Sequence, residues 1–189
     1  MHYCALLITK ELPSESEIAE IMKPYDESNA EYDKETEERI GDYPVFEWDW
    51  YQIGGRYNGS LKLKIDEEDE HYNWKYYAKE DRNKRLFYSY LLTKMKNFSG
   101  NTFMYTEEDY YRTMGMRDGF LYVDGARVDD LLNFDEVECY ICIDVDGNAI
   151  ARESWNGSTF VTDEKFDEKL AEIKKNSKGC FVTVLDIHD

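Results

Sequence analysis

"CFVTVLDI", residues 180–187, is the stretch on which the fold turns. β-branched and large aliphatic residues fill it, and Gly179 precedes it, so Cys180 to His188 reads as a strand. Its run is apolar on both faces, as in a strand from the middle of a sheet. One other stretch has the same character: "HYCALLIT", residues 2–9. Two such strands at opposite ends of the chain are expected to be central neighbours.

The elements between them alternate in type. Pro13 to Glu17 announces a helix, with Ser14 as cap and Glu17 at the capping-box position. Ile18, Ile21, Met22 and Tyr25 form its apolar face, and Pro24 stops it. Residues 26–44 are acidic and weakly periodic, the pattern of a partial helix. Trp48 to Ile65 reads as a hairpin, turning at Gly54-Gly55 or at Asn58-Gly59, with Leu61, Leu63 and Ile65 alternating on its second strand. Helices are expected over Arg82–Phe98 and, ending at Gly115, after Thr106. Phe120 to Val123 is a short strand. Val137 to Val145 is a clearer one, joined through Asp146-Gly147 to a partner at Asn148–Ser154. Thr162 opens the last helix, with Phe166, Leu170 and Ile173 on one face and Gly179 at its end. This order predicts an α+β fold with a largely antiparallel sheet and helices packed mainly on one face. Residues 1–189 make a single domain in which 66–135 reads as an insertion or elaboration.

Charge narrows the function. The 41 acidic residues against 23 basic give a net charge of −18. Direct nucleic-acid binding needs clustered Lys and Arg, which the chain lacks, and an anionic membrane surface would repel it. An acidic surface suits a basic protein partner, or simply keeps a small protein in solution. No signal peptide and no apolar run of membrane-spanning length is present, so a cytoplasmic location is expected, the host cytoplasm if the chain is phage-encoded. Cys4, Cys139, Cys142 and Cys180 lie in strand-like runs and read as reduced core thiols.

Two stretches carry candidate chemistry. In "FEWDWYQIGGRYNG", residues 46–59, aromatic residues crowd a Gly-Gly pair and an arginine. On a strand, Asp49, Tyr51 and Ile53 share one face and Trp48, Trp50 and Gln52 the other. Gly54 and Gly55 let backbone come close to a bound group, Arg56 offers a fork of donors to phosphate or carboxylate, and Trp48, Trp50 or Tyr51 can stack on a ring. The competing reading is a core hairpin in which Arg56 pairs with Asp49 or Glu47. The second stretch is Asp186-Ile187-His188, where both polar side chains point the same way and can border a pocket, act as an acid–base pair or ligate a metal. If the end strands are neighbours, His2 joins them. Chain ends are also polar simply because they are wet. Cys139 and Cys142, three apart on a strand, face opposite ways and make no zinc pair. Asp144 to Trp155 lacks the glycine and glutamate positions of a calcium loop. No metal site and no cofactor is expected, and no nucleophile motif is present.

The run Asp49 to Tyr57, the Asp144–Trp155 stretch with its Asp-Gly turn, and the closing Val184 to His188 together resemble a family of uncharacterised phage and bacterial proteins. Its members carry a "WYxIGGRW" stretch and a terminal "DxH". Tyr57 stands here where the family has Trp, and residues 66–135 match nothing in it. The resemblance brings no activity with it. It implies a phage or mobile-element setting, where small accessory proteins counter host defence, and that the two motifs form one site. The sequence thus points to a phage-type, anti-defence accessory protein that binds a small anionic, nucleotide-like ligand through Trp48, Trp50, Tyr51, Gly54, Gly55, Arg56, Asp186 and His188. Two alternatives stand beside it: an acidic inhibitor or nucleic-acid mimic docking on a basic host protein, and a nucleotide-processing enzyme using Asp186 and His188. Oligomeric state is not legible.

Overall fold

The computed structural model describes residues 1–57, 59–64 and 120–189. The helices expected at 82–98 and 106–115 lie outside the described residues. In chain order the main elements are β1 (His2–Thr9), α1 (Glu15–Met22), β2 (Glu31–Tyr32), β3 (Arg39–Ile40), β4 (Trp50–Ile53), β5 (Leu61–Lys64), β6 (Phe120–Val123) and β7 (Gly125–Arg127). There follow β8 (Ile141–Ile143), β9 (Ala149–Ala151), β10 (Glu153–Trp155), β11 (Phe160–Thr162), α2 (Phe166–Asn176) and β12 (Phe181–His188).

The two apolar end strands are neighbours. β1 and β12 pair antiparallel from His2↔His188 to Thr9↔Phe181, at the centre of a sheet ordered β4-β12-β1-β8-β9. β1 and β8 run parallel; the other pairings in this sheet are antiparallel. β7 continues the β4 edge along the first half of β12, with Phe181 opposite Arg127. Residues 120–135, read from sequence as part of an elaboration, therefore supply a strand of the main sheet. Lys64 lies opposite Phe120 where β5 and β6 pair.

Alternation along the central strands makes two cores. Cys4, Leu6, Ile8, Val182 and Val184 pack with Phe166 and Leu170 of α2. Ala5, Leu7, Leu185 and Ile187 pack with Ile18 and Met22 of α1. Each fully buried side chain of this kind contributes about 1.5–3 kcal/mol. The described helices thus lie one on each face, not on one face as expected, because both faces of β1 and β12 are apolar and each needs a cover. α1 starts as its sequence dictates: the Ser14 side chain accepts from the Glu17 amide, and Glu17 accepts from the Ser14 amide.

Several expectations fail for local reasons. β4 does not pair with β5; it docks on the end of β12, and β5 pairs with β6. Gly54 and Gly55, at φ 70° and 54°, turn the chain away from the sheet edge into a 3-10 turn at Gly55–Tyr57. Within 26–44 the partial helix is a single 3-10 turn at Glu27–Asn29, and beyond it Asp33 accepts from the amides of Glu35 and Thr36 and fixes a turn between β2 and β3. The last helix begins at Phe166 rather than Thr162, because 160–162 pair with β10. Cys139 precedes β8, so it is not constrained to strand alternation, and it joins Cys142 in the core under α2. Among the described residues no helix is long and apolar enough to cross a membrane.

Candidate functional site

Where β1 begins and β12 ends, the face toward α2 turns from apolar to polar. Register fixes the neighbours. Asp186 lies opposite Cys4 on one side and Gln52 on the other, and His188 lies opposite His2 and Trp50. Asp186 is 1% exposed. A buried carboxylate is costly unless hydrogen bonds satisfy it, and both oxygens here are engaged. Oδ1 is 2.9 Å from Nδ1 of His2, and Oδ2 accepts from the backbone amide of Arg56 at 2.9 Å.

The glycine pair explains the second contact. A Cβ on Gly55 would lie 2.4 Å from both Cβ and Oδ2 of Asp186. Only glycine brings the Arg56 amide within reach while keeping a positive φ. The Gly54 amide donates to Val184 O at 2.9 Å, so it belongs to the sheet edge and is not a donor for an anion as expected.

A second carboxylate–histidine pair stands beside the first. Asp49, just before β4, places Oδ1 2.8 Å from Nδ1 of His188. Partial burial acts to raise the Asp49 carboxyl, but the hydrogen bond and charge of His188 outweigh it and hold the group below its usual range. The two imidazoles meet edge to face with centroids 4.9 Å apart. Trp50 stacks on His188 at 5.2 Å with rings 7° from parallel, and is 40% exposed. The Tyr57 hydroxyl donates to His2 O at 3.1 Å and holds the start of β1.

Among the expected site residues, Trp50, Gly55, Arg56, Asp186 and His188 therefore come together. Trp48 and Tyr51 do not. They pack against each other at 5.0 Å on the opposite face, in the core under α1, and Trp48 Nε1 donates to Met22 O. Alternation along β4 sends Tyr51 to that face. Arg56 keeps an exposed guanidinium; Asp49 is taken by His188, and Glu47 by Arg39 at 2.7 and 2.8 Å. Sequence reasoning placed His2 near Asp186 only on condition of strand adjacency, and it missed Asp49 as a histidine partner. Register was the missing information in both cases.

Each histidine has Nδ1 on a carboxylate, which leaves Nε2 as its second ring nitrogen. This is the arrangement that orients an imidazole for proton transfer. His2, Cys4 and Tyr57 line one end of a cleft of about 1380 Å³ that runs under α2 to Lys174. That is room for a nucleotide-sized ligand. Burial pushes the Cys4 and Cys139 thiols in its wall up to about 12, away from the thiolate form. Among the described residues no group of three or more His, Cys, Asp or Glu could hold a metal ion. No family model matches the chain, and no curated protein or solved structure matches it.

Proposed function

We propose that the protein acts on a small, phosphate-bearing, nucleotide-like molecule at this end of the sheet. The observation that supports this is the pair of abutting carboxylate–histidine dyads, Asp186–His2 and Asp49–His188, beside an open cleft. One imidazole takes the proton of an attacking water or hydroxyl through Nε2. The other gives a proton to the oxygen that leaves phosphorus. Asp186 and Asp49 orient the rings and stabilise them when charged. Arg56, an exposed residue whose amide already holds Asp186, balances phosphate charge, and the exposed Trp50, stacked on His188, offers ring surface to a base. In a phage-type setting, the resemblance noted above, such a molecule is a defence signal and its removal is the biological use.

The test is incubation of the purified protein with cyclic and linear nucleotides and ADP-ribose-type species, with products read by mass spectrometry. Turnover of at least one is expected, falling by about 10²–10⁴ in His188→Ala and in His2→Ala. Arg56→Ala is expected to raise KM. Tight binding without turnover would replace catalysis by sequestration at the same site. Neither binding nor turnover across the panel would end the proposal.

A further inference from the structure

At the same end of the sheet, on the face toward α1, a small notch opens beneath the β10–β11 hairpin. It encloses about 210 Å³ and is lined by Tyr43, Trp155 and Phe160 together with Glu47, Glu153 and Asp189. Trp155 and Phe160 face each other across the hairpin register, their rings 5.1 Å apart and 61° from parallel. Both are large and open to solvent, at 38% and 58% exposure, and Val45, also exposed, extends the apolar surface beside them. An apolar patch rimmed by polar groups, left exposed on a chain with ample core elsewhere, marks an interaction surface.

The chemistry of the notch selects its occupant. We propose that it binds a cationic side chain, arginine or lysine, carried by a basic segment of a partner protein. Aromatic walls attract a cation through their ring faces, and Glu153 and Asp189 at the rim complement its charge, Glu47 being already paired with Arg39. The chain already shows the interaction on a notch residue: the Arg39 guanidinium lies 4.7 Å over the Tyr43 ring while its Nη1 donates to both oxygens of Glu47. Gly157 in the hairpin turn lies against Tyr43. A Cβ on Gly157 would come within 3.0 Å of its ring, so the hairpin turn and the wall are in contact. The net charge of −18 draws a basic partner toward this surface and opposes pairing with a second copy of the chain. The inference stands apart from the histidine site, which lies on the other face of the sheet.

The experiment is fluorescence anisotropy with a labelled glycine-flanked Arg-Lys-Arg peptide, and with its neutral counterpart carrying glutamine and norleucine. The basic peptide is expected to bind with an affinity that falls as salt rises from about 0.05 to about 0.5 M. Trp155→Ala and Phe160→Ala are each expected to weaken it about tenfold. Phe160→Tyr keeps the ring and should keep the affinity, which separates a lost wall from a damaged fold. His188→Ala should leave it unchanged. Equal binding of the neutral peptide overturns the proposal. Full affinity in both alanine variants also overturns it and spreads the binding over the acidic surface. Sedimentation showing a dimer that Phe160→Ala dissolves would give the surface to a second copy instead.

Discussion

Replacing Gly55 by alanine tests the contact on which the histidine site depends. Gly55 sits at φ +54°, where an L side chain costs about 1–2 kcal/mol. The added methyl would also lie 2.4 Å from Cβ and Oδ2 of Asp186 and 2.8 Å from its Cγ. Asp186 is buried on β12 between β1 and β4, with both oxygens engaged, and cannot swing aside, so the loop must lift away. Overpacking of this kind costs about 1–3 kcal/mol more. The sum, about 2–5 kcal/mol, corresponds to a fall in Tm of roughly 4–20 °C for a chain of this size. Gly147→Ala is the control: its φ is +85° and nothing lies within 4 Å of the added methyl, so it carries the backbone cost alone. The assay is urea and thermal unfolding of both variants, with histidine ring resonances followed by NMR at a temperature where both are folded. Gly55→Ala should be the less stable of the two and should shift the His2 resonances, since the Arg56 amide leaves Asp186. Equal destabilisation by the two substitutions, with His2 unmoved, would refute the reading that this turn presses on Asp186 and positions it.

Other substitutions probe the surroundings. Asp49→Asn removes the carboxylate that His188 holds below its usual range. A depressed carboxyl stabilises the fold above its unfolded value near pH 4 and loses that contribution as pH falls through its folded value, so the Tm gap between wild type and Asp49→Asn should be present at pH 5 and close toward pH 2–3. Lys174 is 8% exposed and its Nζ donates to Val137 O at 2.7 Å and Asp135 O at 3.1 Å, tying α2 to the segment before β8. Lys174→Met should cost about 2–4 kcal/mol in urea unfolding, through two carbonyls left without a donor. Of the four cysteines, only the partly exposed Cys180 should react promptly with a thiol reagent at pH 8, and all four should react after denaturation, because Cys4, Cys139 and Cys142 are buried.

The sequence revealed most about elements whose pattern is self-contained. The capping box at Ser14, the two apolar end strands and the apolar face of α2 each need only their own residues to be read. Register was not legible. That Trp50 would face His188, and that β5 would leave β4 for β6, follows from pairing across distant parts of the chain, which no local periodicity encodes. The same limit divided the site. Gly55, Arg56, Asp186 and His188 stood out as residue types, but Trp48 and Tyr51 looked equally good and belong to the core. The competing core-hairpin reading pairs Arg56 with Asp49 or Glu47, whereas the partner of Asp49 is a histidine from the far end of the chain.

The placement of Asp186 supports the acid–base site proposed for this end of the sheet. Along β12 the residues facing α2 are Val182, Val184, Asp186 and His188, and a third valine would continue the core at no desolvation cost. A carboxylate there has to be offset by a histidine from β1, whose backbone carbonyl accepts from the Tyr57 hydroxyl, and by an amide from a turn that only glycine can form. Each of these supports is more exacting than the apolar packing it replaces, and together they hold one imidazole in a fixed orientation. Stability alone gives no reason for the substitution of polar for apolar, since a buried polar group that is fully satisfied roughly breaks even with a well-packed hydrophobe. Asp49 and Trp50 then hold a second imidazole against the first, from a strand that reaches the site by another route. Two histidines oriented independently, by carboxylates on different segments, point to a site that needs both rings at once. Such a need arises when one proton is removed and another delivered in the same reaction.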